Sequence, residues 1–240
     1  MKDNLTDRNI HVQSLINLIP KKIRLILNPT RYFIENFVRK SSAKIKKGSR
    51  VLDAGAGPQP YKSLFNHCNY ESTDIKDPNK ALTFVCSLDN IPKEDDYYDA
   101  IISTAVLEHV EFPQKTINEF YRVLKKDGKL FMTVPQGWKL HQEPYNFFNF
   151  TKYGIESLLK NAGFKNFKII AQGGYFLFLS DAIRFNGILE QYKKYFPLYY
   201  PLKIIEFPLT NIILPFVLFF LDFLDKEKKW TLGYLIEANK

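Results

Sequence analysis

Residues 50–57 read Arg50-Val51-Leu52-Asp53-Ala54-Gly55-Ala56-Gly57, a short apolar run that ends in an aspartate and breaks into alternating glycines. Val51 and Leu52 suit a buried parallel strand, and Gly55 and Gly57 lack the side chains that would keep a ligand off the backbone. Tyr70–Ile75 is a second strand-like stretch, and its acid, Asp74, stands 21 positions after Asp53. At that spacing nucleotide-binding α/β units place a carboxylate on ribose hydroxyls. The pair predicts an adenosine-containing cofactor.

The loop argues against a dinucleotide. Where G-x-G-x-x-G has its third glycine stands Pro60, and Pro58 and Pro60 together remove two backbone donors that a pyrophosphate would use. Asp53 adds negative charge at the same place and suits a ligand ammonium group instead. A ribose for Asp74 and an amino-acid end for Asp53, with no phosphate, describe S-adenosylmethionine.

Val51–Gly57 resembles the first motif of the class I S-adenosylmethionine-dependent methyltransferases of the type 11 group. Three later stretches match the same family in order: Tyr98–Ser103, Val106–Val110 and Arg122–Gly128. The resemblance covers roughly residues 48–172 and returns at the C-terminus. It implies a Rossmann-like, doubly wound, seven-stranded α/β sheet whose last strand runs antiparallel. It also implies that Asp53, Gly55, Ala56 and Gly57 hold the methionine end, Asp74 the ribose and Ile75 the adenine. Relatives often carry an Asp after the third strand; here Ser87 and Leu88 occupy that region, with Asp89 following. Ser103 and Thr104, ending the fourth strand, should lie beside the transferred methyl.

Periodicity along the chain agrees. Apolar runs at 50–54, 70–75, 82–86, 98–103 and 129–134 alternate with helical patterns. Pro113–Lys126 predicts a helix with Ile117, Phe120, Tyr121 and Leu124 on one face, stopped by Asp127-Gly128. Thr151 predicts the N-cap of another, ending at Gly163, before strands over Phe164–Ala171 and Thr231–Ala238.

A sulfonium methyl is already activated, so such an enzyme mainly aligns donor and acceptor and handles the acceptor's proton. His141, in the loop after the fifth strand, is the candidate base, since an imidazole titrates near neutrality; the alternative is that it only orders the loop. His109 reads as structural, since Val106, Leu107 and Val110 around it suit a buried helix start, while Glu108 either caps that helix or faces the cofactor pocket. Tyr145 and residues 147–150 line an acceptor site or belong to the core. Cys68 and Cys86 have no metal spacing, and no metal is expected.

Three units are expected: a basic helical arm over 1–48, the cofactor-binding domain over 49–172 and 230–240, and an apolar helical insertion over 173–229. Residues 1–50 hold twelve Lys and Arg against Asp3, Asp7 and Glu35, which accounts for the whole net charge of +9. Residues 207–221 carry no charge, yet fifteen helical residues span only about 22 Å, short of a ~30 Å hydrocarbon core. Pro208 and Pro215 should also interrupt a spanning helix. The insertion therefore reads either as a self-packed helical subdomain or as a surface dipping into one leaflet. The basic arm, mixed with apolar residues, favours an anionic membrane surface.

No cleavable signal peptide is apparent. The expected setting is the cytoplasm, peripheral on the membrane, with no nucleic-acid partner. The acceptor is expected to be a lipid-linked sugar or other membrane-associated small molecule, methylated on oxygen. Two alternatives stand: an NAD(P)-dependent oxidoreductase, and a catalytically silent membrane-attached binding module.

Overall fold

The computed structural model describes Ile23, Ile26, residues 28–184, Pro197 and residues 199–240. Most of the basic arm, and the middle of the insertion, lie outside these residues.

Seven strands form one sheet in the order β3-β2-β1-β4-β5-β7-β6. They are β1 (Arg50–Ala54), β2 (Asn69–Asp74), β3 (Phe84–Val85), β4 (Tyr98–Thr104), β5 (Leu124–Pro135), β6 (Asn166–Ala171) and β7 (Gly233–Asn239). β1 to β5 pair in parallel, and β7 inserts antiparallel between β5 and β6. The order reverses between β1 and β4, which open α/β sheets use as their ligand crevice.

Val51 and Leu52 both lie fully buried and point to opposite faces, as period two requires. Helices α2 (Pro113–Val123) and α3 (Lys152–Ala162) cover one face, where Ile117, Phe120, Ile155 and Leu159 pack with Leu52, Ile101 and Leu130. The other face is covered by α1 (Pro29–Ser42) and a turn of 3₁₀ helix at Lys62–Phe65, which bring Phe37, Val38 and Phe65 onto Val51, Ile102 and Phe131. Asn28 caps α1, its side chain accepting from the Arg31 N–H, with Pro29 at the first turn. So the last part of the expected arm is one of the sheet's covering helices. Thr151 caps α3 through the Gly154 N–H, and Gly163 ends it at φ 107°.

Two element boundaries differ from expectation. α2 stops at Val123 rather than Lys126, because Leu124 already pairs with Tyr98 in the sheet and Lys125 Nζ donates to Asp99 at 2.7 Å. Asp127, at φ 64°, then makes a turn within β5 instead of ending the helix.

Within the insertion, residues 175–184 and 199–224 are helical, and the prolines do not divide the second run. α5 (Tyr199–Pro208), a π-helical turn (Leu209–Ile213), α6 (Leu214–Leu221) and a 3₁₀ turn (Asp222–Leu224) form one helical run of 26 residues. The π turn re-spaces the backbone between the prolines. Thr210 Oγ1 and Asn211 Nδ2 donate to the Glu206 and Phe207 carbonyls, replacing helix bonds. α6 packs along α4 (Tyr175–Arg184). Asp222 then accepts from the Gly174 and Leu177 N–H groups, and Asp225 from that of Tyr175, so the end of the run caps the start of α4.

Candidate active site

At the ends of β1 and β2 the chain folds tightly on itself. Gly55 turns at φ 77°, and its N–H and that of Ala56 both donate to the Thr73 carbonyl, at 2.9 and 3.0 Å. A Cβ on Gly55 would collide with the Val106 side chain, so that glycine answers to packing as well as to its backbone angle. Only Gly57 fits the expectation of keeping space clear: a Cβ there would meet nothing within 4 Å. The Gly57 N–H donates to Asp74 Oδ2 at 2.9 Å, and the Ile75 N–H to Oδ1 at 2.7 Å.

Asp53 is buried, 3% exposed, and accepts one side-chain hydrogen bond, from the Tyr70 hydroxyl at 2.6 Å. Burial pushes its carboxyl up to about 6; the Tyr70 bond pulls the other way and the Asp74 charge adds to the rise. Burial and the neighbouring Asp53 charge push the Tyr70 hydroxyl up as well. A carboxylate so placed retains acceptor sites that an ammonium group can fill.

The remaining expected cofactor residues divide. Ala56 and Ser103 are buried and Thr104 half-buried, all at the carboxyl edge of the sheet. Ile75 stands 68% exposed beside Asp74, an apolar face open to a planar ring. Ser87 is exposed with its hydroxyl bound to Asp89, and Leu88 is buried in the core with Leu52 and Ala54.

The second half of the site lies past β4 and β5. Val106, against Gly55, leads into a single 3₁₀ turn, Leu107–His109, rather than the start of a longer helix. Glu108 is fully buried and, among the described residues, no other residue bonds either carboxyl oxygen; burial pushes its carboxyl up to about 7, against the pull of its own backbone N–H. Its backbone carbonyl accepts from the Phe147 and Phe148 N–H groups, and His109 Nδ1 donates to the Tyr145 carbonyl at 2.6 Å. These bonds draw the 136–150 loop onto the turn, so that the His141 ring stands 4.7 Å from that of His109 and 5.0 Å from Trp138. Burial, and to a lesser degree His141, hold His109 below the usual imidazole range, against the Tyr145 carbonyl. Trp138 Nε1 donates to Asp181 Oδ2 at 2.9 Å, tying the loop to α4. A cavity of about 30 Å³ opens among Ile34, Ala105, Glu108, Thr133, Trp138 and Leu232.

His141 is therefore one of three converging side chains, and His109, read from sequence as structural, stands beside it. Tyr70 and Trp138 carried no signal of their own in the sequence. The adjacent Glu108-His109 after β4 was the available clue to the cluster.

Comparison with known proteins defines the class. A methyltransferase-domain profile matches residues 28–169, well over half of the chain, and starts at the cap of α1. The chain belongs to that methyltransferase family, which sets the oxidoreductase reading aside. It is 34% identical over 109 residues to the tRNA (carboxymethyluridine(34)-5-O)-methyltransferase of Arabidopsis thaliana, covering 41% of this chain and 26% of that protein. The chain thus spans about a quarter of that relative. An uncharacterised Methanocaldococcus jannaschii protein is 28% identical over 187 residues, 72% of this chain and 82% of its own. The fold is that of an S-adenosylmethionine-dependent methyltransferase from Archaeoglobus fulgidus, with TM-score 0.56 over 91% of this chain and 98% of that one at 15% identity. S-adenosylmethionine is the cofactor that the Asp53 and Asp74 pair predicts from the sequence.

The residues present fit that cofactor: a buried carboxylate with one partner, a glycine whose missing Cβ leaves open space, and an acid held at the next strand end.

Proposed function

We propose that this enzyme transfers a methyl group to an oxygen of a lipid-linked sugar or another membrane-associated small molecule. The observation that carries the reading is the apolar helical run Tyr199–Leu224. At about 1.5 Å per residue it extends about 39 Å, and it leaves Ile204, Ile205, Phe216, Phe220 and Phe223 more than half exposed. A single exposed apolar helix of this length is what a lipid leaflet accepts and water does not. Lys226, Lys228 and Lys229 follow it, and the basic N-terminal segment adds charge of the sign that anionic headgroups attract. Because α6 packs along α4 and Asp222 caps α4, the reading is of a helix lying in the interface of the cytoplasmic leaflet, with the catalytic edge alongside.

In this reading Asp53, with the backbone of Gly55, Ala56 and Gly57, holds the methionine end, and Asp74 binds the ribose hydroxyls. Ile75, Ser87 and Leu88 border the adenine, while Ser103 and Thr104 flank the reacting centre. The cofactor supplies an electrophilic methyl on sulfonium. The chain's residues align the acceptor oxygen in line with it and exclude water. The acceptor proton leaves at the Glu108–His109–His141 cluster, with His141 first among them.

Methyl-labelled S-adenosylmethionine incubated with membranes, with a delipidated soluble fraction and with total tRNA tests the acceptor. Label in the lipid phase is expected. Label confined to tRNA, the substrate class in the plant relative's name, would overturn the reading.

A further inference from the structure

The Glu108–His109–His141 cluster gathers a carboxyl and two imidazoles. His109 Nδ1 faces the Tyr145 carbonyl at 2.6 Å and His141 Nδ1 the Lys139 carbonyl at 3.1 Å. A carbonyl only accepts, so both rings carry their proton on Nδ1, and the nitrogen left over in each is an Nε2 lone pair. Glu108 adds a fully buried carboxyl that, among the described residues, no other residue bonds. One ligand-capable atom from each of the three lies within 4.8 Å of the others.

We propose that Glu108, His109 and His141 form a divalent transition-metal site with positions open to the acceptor's oxygen. Two imidazoles and one carboxylate are a set used for catalytic zinc and for open-sited iron, whereas magnesium prefers an all-oxygen shell. Imidazoles that ligate metals donate their other N–H to a carbonyl or carboxylate, and both do so here. Ligand bonds near 2.1 Å set tetrahedral ligand atoms about 3.4 Å apart, so closing from a limit of 4.8 Å takes a side-chain movement of about 1 Å. His141, in the 136–150 loop, is the group free to make it. Glu108 and His109 sit on one 3₁₀ turn two residues past Val106, which packs on Gly55, so the cation would stand next to the cofactor's edge.

The inference rests on the oxygen-methylation reading and replaces its His141 proton step with one at the cation. A hydroxyl coordinated to the cation loses its proton to solvent water. The resulting alkoxide attacks the methyl carbon, the O–C bond forms, and the C–S bond breaks with its electron pair left on sulfur. S-adenosylhomocysteine departs neutral at sulfur. His141 then acts as a ligand rather than as the base.

Chelator-treated full-length protein titrated calorimetrically with Mn²⁺ and with Zn²⁺, and separately with S-adenosylmethionine, tests the site. The expected result is one metal bound at micromolar affinity, weakened at least fiftyfold in His141→Ala and in Glu108→Gln, with cofactor affinity within twofold of the unsubstituted protein. His141 is outside the buried core, so His141→Ala decides the matter alone should Glu108→Gln not fold. No binding by the parent protein, or equal binding by His141→Ala, overturns the proposal. Metal binding together with absence of label in the lipid phase would leave the metal site standing and remove the acceptor reading.

Discussion

At the ends of β1 and β2 the polar side chains find partners close by in the chain: Asp53 with Tyr70 and Asp74 with Gly57, each 17 residues apart. At the ends of β4 and β5 the partners come from farther away. His109 reaches Tyr145 across 36 residues, Trp138 reaches Asp181 across 43, and Gly174 reaches Asp222 across 48. The first half is closed by short-range polar bonds, with Val106 packed on Gly55 as its link to the second. The second is assembled from a turn, a long loop and an insertion, and can be rebuilt for a new acceptor without disturbing the first.

The sharpest way to break that contrast is to make the insertion polar. Deleting it would also remove Asp222 and uncap α4, so substitution is the cleaner probe. Ile205→Glu, Phe216→Glu and Phe220→Glu together each forfeit about 1.5 kcal/mol or more of apolar burial in lipid. Vesicle partitioning, measured by sedimentation, should fall about a thousandfold while S-adenosylmethionine affinity stays constant. Unchanged sedimentation would refute the membrane seat.

Asp53→Asn keeps the shape of the cofactor half and removes its charge. Cofactor affinity by calorimetry should fall about a hundredfold, on the order of 2.7 kcal/mol. A change below threefold would mean that the ammonium group binds elsewhere.

A milder effect is expected from pH. The carboxylate form of Asp53 is the one that receives an ammonium, and its carboxyl sits at about 6 rather than 3.8. Affinity should therefore drop about tenfold per pH unit below about 6 and level off above it. Folding stability responds in the opposite sense. The folded state holds the Asp53 proton more tightly, so stability from this group is full below 3.8 and is lost as pH rises to about 6. Asp53→Asn should flatten both profiles.

The smallest effect belongs to the joint between insertion and loop. Trp138→Phe leaves the buried Asp181 carboxyl without its indole donor, a loss of about 1–3 kcal/mol. For a chain of this size that is a fall of about 2–12 °C in Tm, with cofactor affinity unaltered. A shift in cofactor affinity instead would show that the two halves are coupled.

Much of the sheet was legible because its signals are local. Val51 and Leu52 alternate between faces, Thr151 and Gly163 carry cap chemistry at the ends of α3, and Asp53 and Asp74 stand at a spacing set by one βαβ unit. The helix 113–123 was read three residues too long because Leu124, apolar and in phase with α2, is claimed by Tyr98 of the neighbouring strand. The prolines of the insertion do not divide it: a π turn re-spaces the backbone between Pro208 and Pro215, and the Thr210 and Asn211 side chains bond the Glu206 and Phe207 carbonyls there.

The sequence alone determined the strands, the glycine loop and the two acids that end the first two strands, since each is written within one continuous stretch of chain. Only the tertiary structure decided that Gly55 answers to Val106, that His109 stands with His141 over a buried Glu108, and that the last turn of an apolar helix caps α4. Those relations join segments 32 to 51 residues apart. Chain distance carries no record of them; the strand order of the sheet, by bringing β1, β4 and β5 side by side, does.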